Sequence, residues 1–70
     1  MKLSARNQLK GKIRSITHGA INSEVLIELA PGVSITAQVT TSSVHDLGLK
    51  EGGTAYAVVK ADSVMVGVDD

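Results

Sequence analysis

The chain has 70 residues, seven basic and seven acidic, with no Cys, one Tyr and neither Trp nor Phe. A chain this short makes one domain with a thin core of its own, and without cysteine it has no disulfide or thiolate metal site to support it. Zero net charge gives no general attraction for nucleic acid, and one aromatic ring leaves almost nothing for a base to stack on.

In chain order, "LKGKIRS" alternates Leu9, Gly11 and Ile13 with Lys10, Lys12 and Arg14, the signature of a strand with an apolar and a cationic face. Ile16 breaks the phase, which predicts a bulge or bend near Ser15. "THGAINS" reads as a turn through Gly19 and Asn22. "EVLIEL" puts Val25, Ile27 and Leu29 on one face. "APG" (Ala30 to Gly32) is a tight turn, and "VSITAQV" directs Val33, Ile35, Ala37 and Val39 inward, so Val25–Leu29 and Val33–Val39 should form an antiparallel hairpin. Thr41 to Ser43 offer N-caps for a short helix. Ser43 with Asp46 resembles a capping box, and Gly48 fits the C′ position with Leu49 folding back. After the turn "KEGG", "TAYAVVKA" and "SVMVGV" read as two final strands. The expected fold is therefore all-β: a five-stranded, closed or nearly closed OB-like barrel with one short helix.

The last strands also bear on assembly. Val64, Val66 and Val68 share one face, yet Met65 and Gly67 occupy the other; Tyr56 and Val58 oppose Ala55, Ala57 and Val59; Leu26 stands between Glu24 and Glu28. Scattered surface apolar residues are ordinary. A second buried face supplied by another subunit is the alternative, and for so small a core it is the preferred one.

Catalysis has little to stand on. No G-x-S-x-G elbow is present, His18 sits in a turn, His45 lies beside Asp46 in the short helix, and Glu24 and Glu28 share what reads as a solvated face. Two separated histidines without cysteine do not make a zinc site. The expectation is a non-enzyme. No apolar run approaches the ~20 residues of a membrane span, and the N-terminus lacks the apolar core of a signal peptide, so a cytoplasmic protein with no membrane partner is expected.

Anion binding has more support. "SARN" (Ser4, Ala5, Arg6, Asn7) supplies a hydroxyl, a guanidinium, an amide and backbone N–H groups. "HGAIN" (His18, Gly19, Ala20, Ile21, Asn22) exposes backbone beside small side chains. "KADS" (Lys60, Ala61, Asp62, Ser63) adds an ammonium and a hydroxyl. Successive N–H groups in a turn can cradle an anion, although each stretch taken singly reads more readily as a plain turn.

Taken together, "MKLSARNQLKGKI", "THGAINSEV", "LGLKEG" and "AYAVVKADSVMVGV" resemble the molbindin family of small bacterial Mop proteins over nearly the whole chain. The same module recurs at the ends of molybdate-transport ATPases and molybdate-responsive regulators. The resemblance implies an OB-like barrel assembled as a homohexamer, a trimer of dimers. It implies binding of molybdate or tungstate at subunit interfaces, for intracellular storage, buffering or homeostasis. The metal would be held as its oxyanion, without direct protein ligation and with no organic cofactor. Residue by residue, it implies one kind of site from Ser4 to Asn7 with Lys60 to Ser63 contributed across an interface, and another from His18, Gly19 and Ala20 with Ile21 and Asn22 adjacent, near a symmetry axis. The family pattern has Ser or Thr where this chain has Asp62, and a carboxylate pointing inward would repel a dianion. A nucleic-acid-binding OB domain using Lys10, Lys12 and Arg14, or a purely structural oligomerisation module, are the competing readings; zero charge and few aromatics weigh against the first.

Overall fold

The alternating stretches become four antiparallel strands in a computed structural model describing residues 1–70: β1 (Asn7–Thr17), β2 (Asn22–Ala30), β3 (Val33–Thr40) and β4 (Thr54–Val59), with a short helix α1 (Thr41–Asp46) between β3 and β4. A single 3₁₀ turn, Ala61–Ser63, follows β4. The sheet order is β3-β2-β1-β4. Strand β1 serves both sides of the sheet: Asn7 to Lys12 pair with β4, and Lys12 to Thr17 pair with β2. A strand that changes partner midway must coil, and two features permit it. Arg14 is the extra residue of a bulge, with Ile13 opposite Ile27 and Ser15 opposite Leu26, as the phase break at Ile16 predicts. Gly11 stands where any Cβ would meet the Glu28 carbonyl oxygen at 2.5 Å and Ile27 Cγ2 at 2.6 Å.

The β2–β3 hairpin forms as expected, with Ala30 opposite Val33 and Gly32 at φ +79° in the turn. Val33, expected inward, is exposed at the hairpin end; Ile35, Ala37 and Val39 are half-buried. The buried apolar core is Ile13, Val25, Ile27, Val44 and Ala57. Each aliphatic side chain of this size contributes about 1.5–3 kcal/mol on burial, so five residues support only a marginal fold.

Three expectations are corrected. The fifth strand does not form: Ser63 ends the 3₁₀ turn, and Val64–Val68 has no strand partner, with Met65, Val66 and Val68 88–93% exposed. A strand needs a free edge within reach, and within the chain this segment reaches neither. The barrel is consequently open, a curled sheet with β3 and β4 as its two edges. Between them lies an apolar groove of about 360 Å³ lined by Val25, Ile27, Val39, Leu49, Tyr56 and Val58 among others. Lastly, the helix cap is Thr40, whose Oγ1 accepts from the Ser43 N–H at 3.1 Å, in place of a Ser43–Asp46 box. The C-terminal reading holds. Gly48 takes φ +63° at C′, its N–H reaches the His45 carbonyl, and the Leu49 N–H reaches that of Val44 at 3.0 Å, closing a Schellman motif.

Candidate functional site

The β1–β4 register determines what stands beside what at one end of the sheet. Asn7 opposite Val59 is the last pair, so the chain entering β1 and the chain leaving β4 run side by side. Beyond that pair, Ser4, Ala5 and Arg6 precede β1 and Lys60, Ala61 and Asp62 follow β4. These six residues line one polar cleft of about 300 Å³. The two stretches expected to form one kind of site are thus neighbours in a single chain. The sequence expectation has Lys60 to Ser63 contributed across an interface; antiparallel pairing also brings Lys60 to Asp62 beside Ser4 to Arg6 within one chain. Asn7, already engaged in β1, and Ser63, in the 3₁₀ turn, flank the cleft without lining it.

The cleft is rich in donors. Ser63 and Val64 donate their N–H groups to the Lys60 and Ala61 carbonyls, at 2.9 and 3.3 Å. The first N–H groups of this turn, on Ala61 and Asp62, have no intrahelical acceptor, and Lys60 provides no side-chain cap. The Ser4 hydroxyl, the Arg6 guanidinium and the Lys60 ammonium complete the set. The one acceptor-only side chain is the Asp62 carboxylate, 3.9 Å from Lys60 Nζ in an ion pair about three-quarters exposed. A surface pair of that length is weak, and it leaves Lys60 able to turn to another anion.

The second candidate stretch lies at the other end of β1, in the β1–β2 turn. Here Gly19 is required by space, since a Cβ would collide with the Asn22 carbonyl. The N–H groups of His18, Ala20 and Ile21 donate to no other group of the chain, whereas the carbonyls of Gly19 and Ile21 accept from the Thr41 hydroxyl at 2.8 Å and the Thr41 N–H at 2.7 Å. Ser23, the one buried polar residue, completes this arrangement beneath the turn. Neither Ser23 nor Thr41 was among the sequence candidates. The available signal was a serine in phase with Val25 and Ile27 on the inward face of β2, where a hydroxyl must find a partner.

His45 lies exposed on α1, and no group of three or more His, Asp or Glu side chains is positioned to hold a metal ion. No helix is long and apolar enough to cross a membrane.

Comparison with known proteins gives a consistent picture. The TOBE domain model matches residues 3–66. The chain is similar to a probable molybdenum-pterin-binding protein of Haemophilus influenzae, at 49% identity over 99% of this chain and 100% of that one. Among solved structures it is similar to a molybdate-binding protein from Sporomusa ovata, at TM-score 0.89, 32% identity and coverage of 97% of this chain and all of the other. It is also similar to the cytoplasmic molybdate-binding protein ModG in a form with molybdate bound, at TM-score 0.91 and 48% identity, where 99% of this chain covers 49% of the neighbour.

Proposed function

Since the chain belongs to the TOBE domain family, and within it to the molybdenum-pterin-binding (Mop) proteins, we propose that it binds molybdate and tungstate as oxyanions and serves as an intracellular store or buffer for them. The observation that carries this reading is the cleft where Ser4, Ala5 and Arg6 meet Lys60, Ala61 and Asp62. A tetrahedral dianion offers acceptors only, so it suits a site made of N–H groups, a hydroxyl, a guanidinium and an ammonium. Protonated phosphate would bring an O–H whose one side-chain acceptor in the cleft is the Asp62 carboxylate, already paired with Lys60. Sulfate is acceptor-only as well, so only its smaller size can disfavour it, through poorer contact with donors spaced for the larger anion, and the same criterion separates molybdate poorly from tungstate. The ligand in this reading is the free oxyanion without an organic cofactor: the cleft has no aromatic side chain to stack a ring, and the single Tyr56 lies on the apolar groove.

Assembly follows from the same geometry. The cleft is open to solvent, its Lys60 and Asp62 side chains about three-quarters exposed, so a neighbouring subunit can add donors to an anion bound there. The open apolar groove, the two free sheet edges and the exposed Val64–Val68 segment supply surface for that neighbour. We therefore read the working form as a homo-oligomer, a hexamer built as a trimer of dimers, with oxyanions at its interfaces and the His18–Asn22 turn as the second kind of site. Donors shared between subunits, with the charged Lys60 and Asp62 side chains about three-quarters exposed and screened, hold the anion loosely enough to release it, as a cytoplasmic buffer requires. Binding without catalysis accords with the molybdate-binding character of the relatives.

Thermal melting tests the reading, because a ligand bound only by the native state raises the melting temperature. Millimolar molybdate and tungstate should each raise it, with sulfate and a single-stranded oligonucleotide producing little change. An unchanged melting temperature with molybdate overturns the proposal; a shift with the oligonucleotide alone favours nucleic-acid binding.

A further inference from the structure

Resting on the oxyanion reading of the His18–Asn22 turn, we infer that Thr41 and Ser23 are its positioning residues: they hold the Gly19 and Ile21 carbonyl oxygens inward, so that the N–H donors of the turn face outward without those two acceptors beside them. The proton count assigns the hydrogen bonds. The Gly19 carbonyl can only accept, so the Thr41 hydroxyl donates to it, at 2.8 Å. That uses the only hydroxyl proton of Thr41. In the 2.8 Å contact between Ser23 Oγ and Thr41 Oγ1, Ser23 is therefore the donor. Ser23 Oγ in turn lies 3.4 Å from the Gly19 N–H, which donates to it. The three bonds close a directional ring through both polar groups of Gly19. Ser23 is 1% exposed, so water does not substitute for a lost partner there.

The ring decides what the outer side of the turn offers. The peptide bonds are trans, so each peptide's C=O and N–H point in opposite directions. With the Gly19 carbonyl on Thr41 Oγ1, the Ala20 N–H points away from Thr41. With the Ile21 carbonyl on the Thr41 N–H, at 2.7 Å, the Asn22 N–H does the same. A carbonyl turned outward at either place would set an acceptor against an acceptor-only dianion. The clamp removes both acceptors and leaves the Ala20 N–H, which has no partner within the chain, turned away from Thr41. Neither Thr41 nor Ser23 touches the anion; they act through the backbone they hold.

The experiment is calorimetric titration of the intact wild-type protein and its variants with sodium molybdate, resolving the site classes. Thr41→Val keeps the branched shape and the backbone N–H but removes the hydroxyl. It should weaken the turn class about tenfold, with the Ser4/Lys60 class unchanged. Thr41→Ser restores the hydroxyl and should restore wild-type binding, a rescue that a purely packing role would not produce. Should Thr41→Val fail to fold, Ser23→Ala reads the ring instead: it removes the acceptor of the Gly19 N–H and the donor to Thr41 Oγ1, loosens the Gly19 peptide that Thr41 holds, and should weaken the turn class by a smaller factor. Equal binding of both classes by folded Thr41→Val or Ser23→Ala, with the wild type binding normally, overturns the clamp and leaves the oxyanion reading standing. A wild-type protein that takes up no molybdate overturns both.

Discussion

Asp62 is the acidic residue in a cleft otherwise lined with donors, and its carboxylate has Lys60 Nζ as its partner at 3.9 Å. In that position it acts twice against an incoming dianion, by repelling it directly and by competing for the Lys60 ammonium. Both effects are screened, because the two side chains are about three-quarters exposed. The consequence is a moderate one. Asp62→Ser should tighten molybdate binding at the Ser4/Lys60 cleft by about three- to tenfold at low salt, less at high salt. Calorimetric titration of both proteins at two ionic strengths checks this, and equal affinities would remove Asp62 from the account. Gly19 carries the opposite kind of constraint: no charge is involved, only the absence of room for a Cβ against the Asn22 carbonyl.

At the scale of elements, α1 is six residues long, too short to persist on its helix propensity. Its caps and its docking hold it. Thr40 Oγ1 receives the Ser43 N–H, Gly48 closes the other end at positive φ, and Val44 enters the core. Because Thr41 opens this helix and also clamps the β1–β2 turn, helix and turn are linked mechanically. Thr40→Ala should cost about 1 kcal/mol, which for a domain this small lowers the melting temperature by about 4–8 °C. Melting without ligand measures it, and a loss of under about 1 °C would mean that the core alone sets the helix.

For the molecule as a whole, the shortage of buried surface is the dominant fact. Six residues of 70 are buried, and twelve large apolar side chains are exposed, four of them between Val64 and Val68. An isolated chain with that balance is marginal and liable to associate. The wild-type protein should elute from a sizing column as a stable oligomer. Val66→Asp, which puts a charge on a residue that makes no contribution to the core of the single chain, should shift it toward smaller species and lower its melting temperature together. Elution of the wild type as a monomer would remove the shared-interface mechanism and leave the cleft to act alone.

Local patterns were legible because local forces produce them. The period-two alternation, the bulge after Ile13, the tight turn at Gly32 and the helix stop at Gly48 each follow from side-chain periodicity or backbone freedom over a few residues, and the sequence by itself determined them. The donor-bearing stretches around Ser4, His18 and Lys60 were legible for the same reason, as residue types in order. Their partners were not. That Ser4 to Arg6 lie beside Lys60 to Asp62 in one chain depends on which strands pair, and pairing is a long-range competition for edges that no local pattern encodes. The same competition left Val64–Val68 without a strand partner, although its composition reads as a strand. The Ser23–Thr41–Gly19 ring joins residues up to 22 positions apart, and only the tertiary structure decided which way its carbonyls face, because the direction of a peptide group follows from the partner it meets.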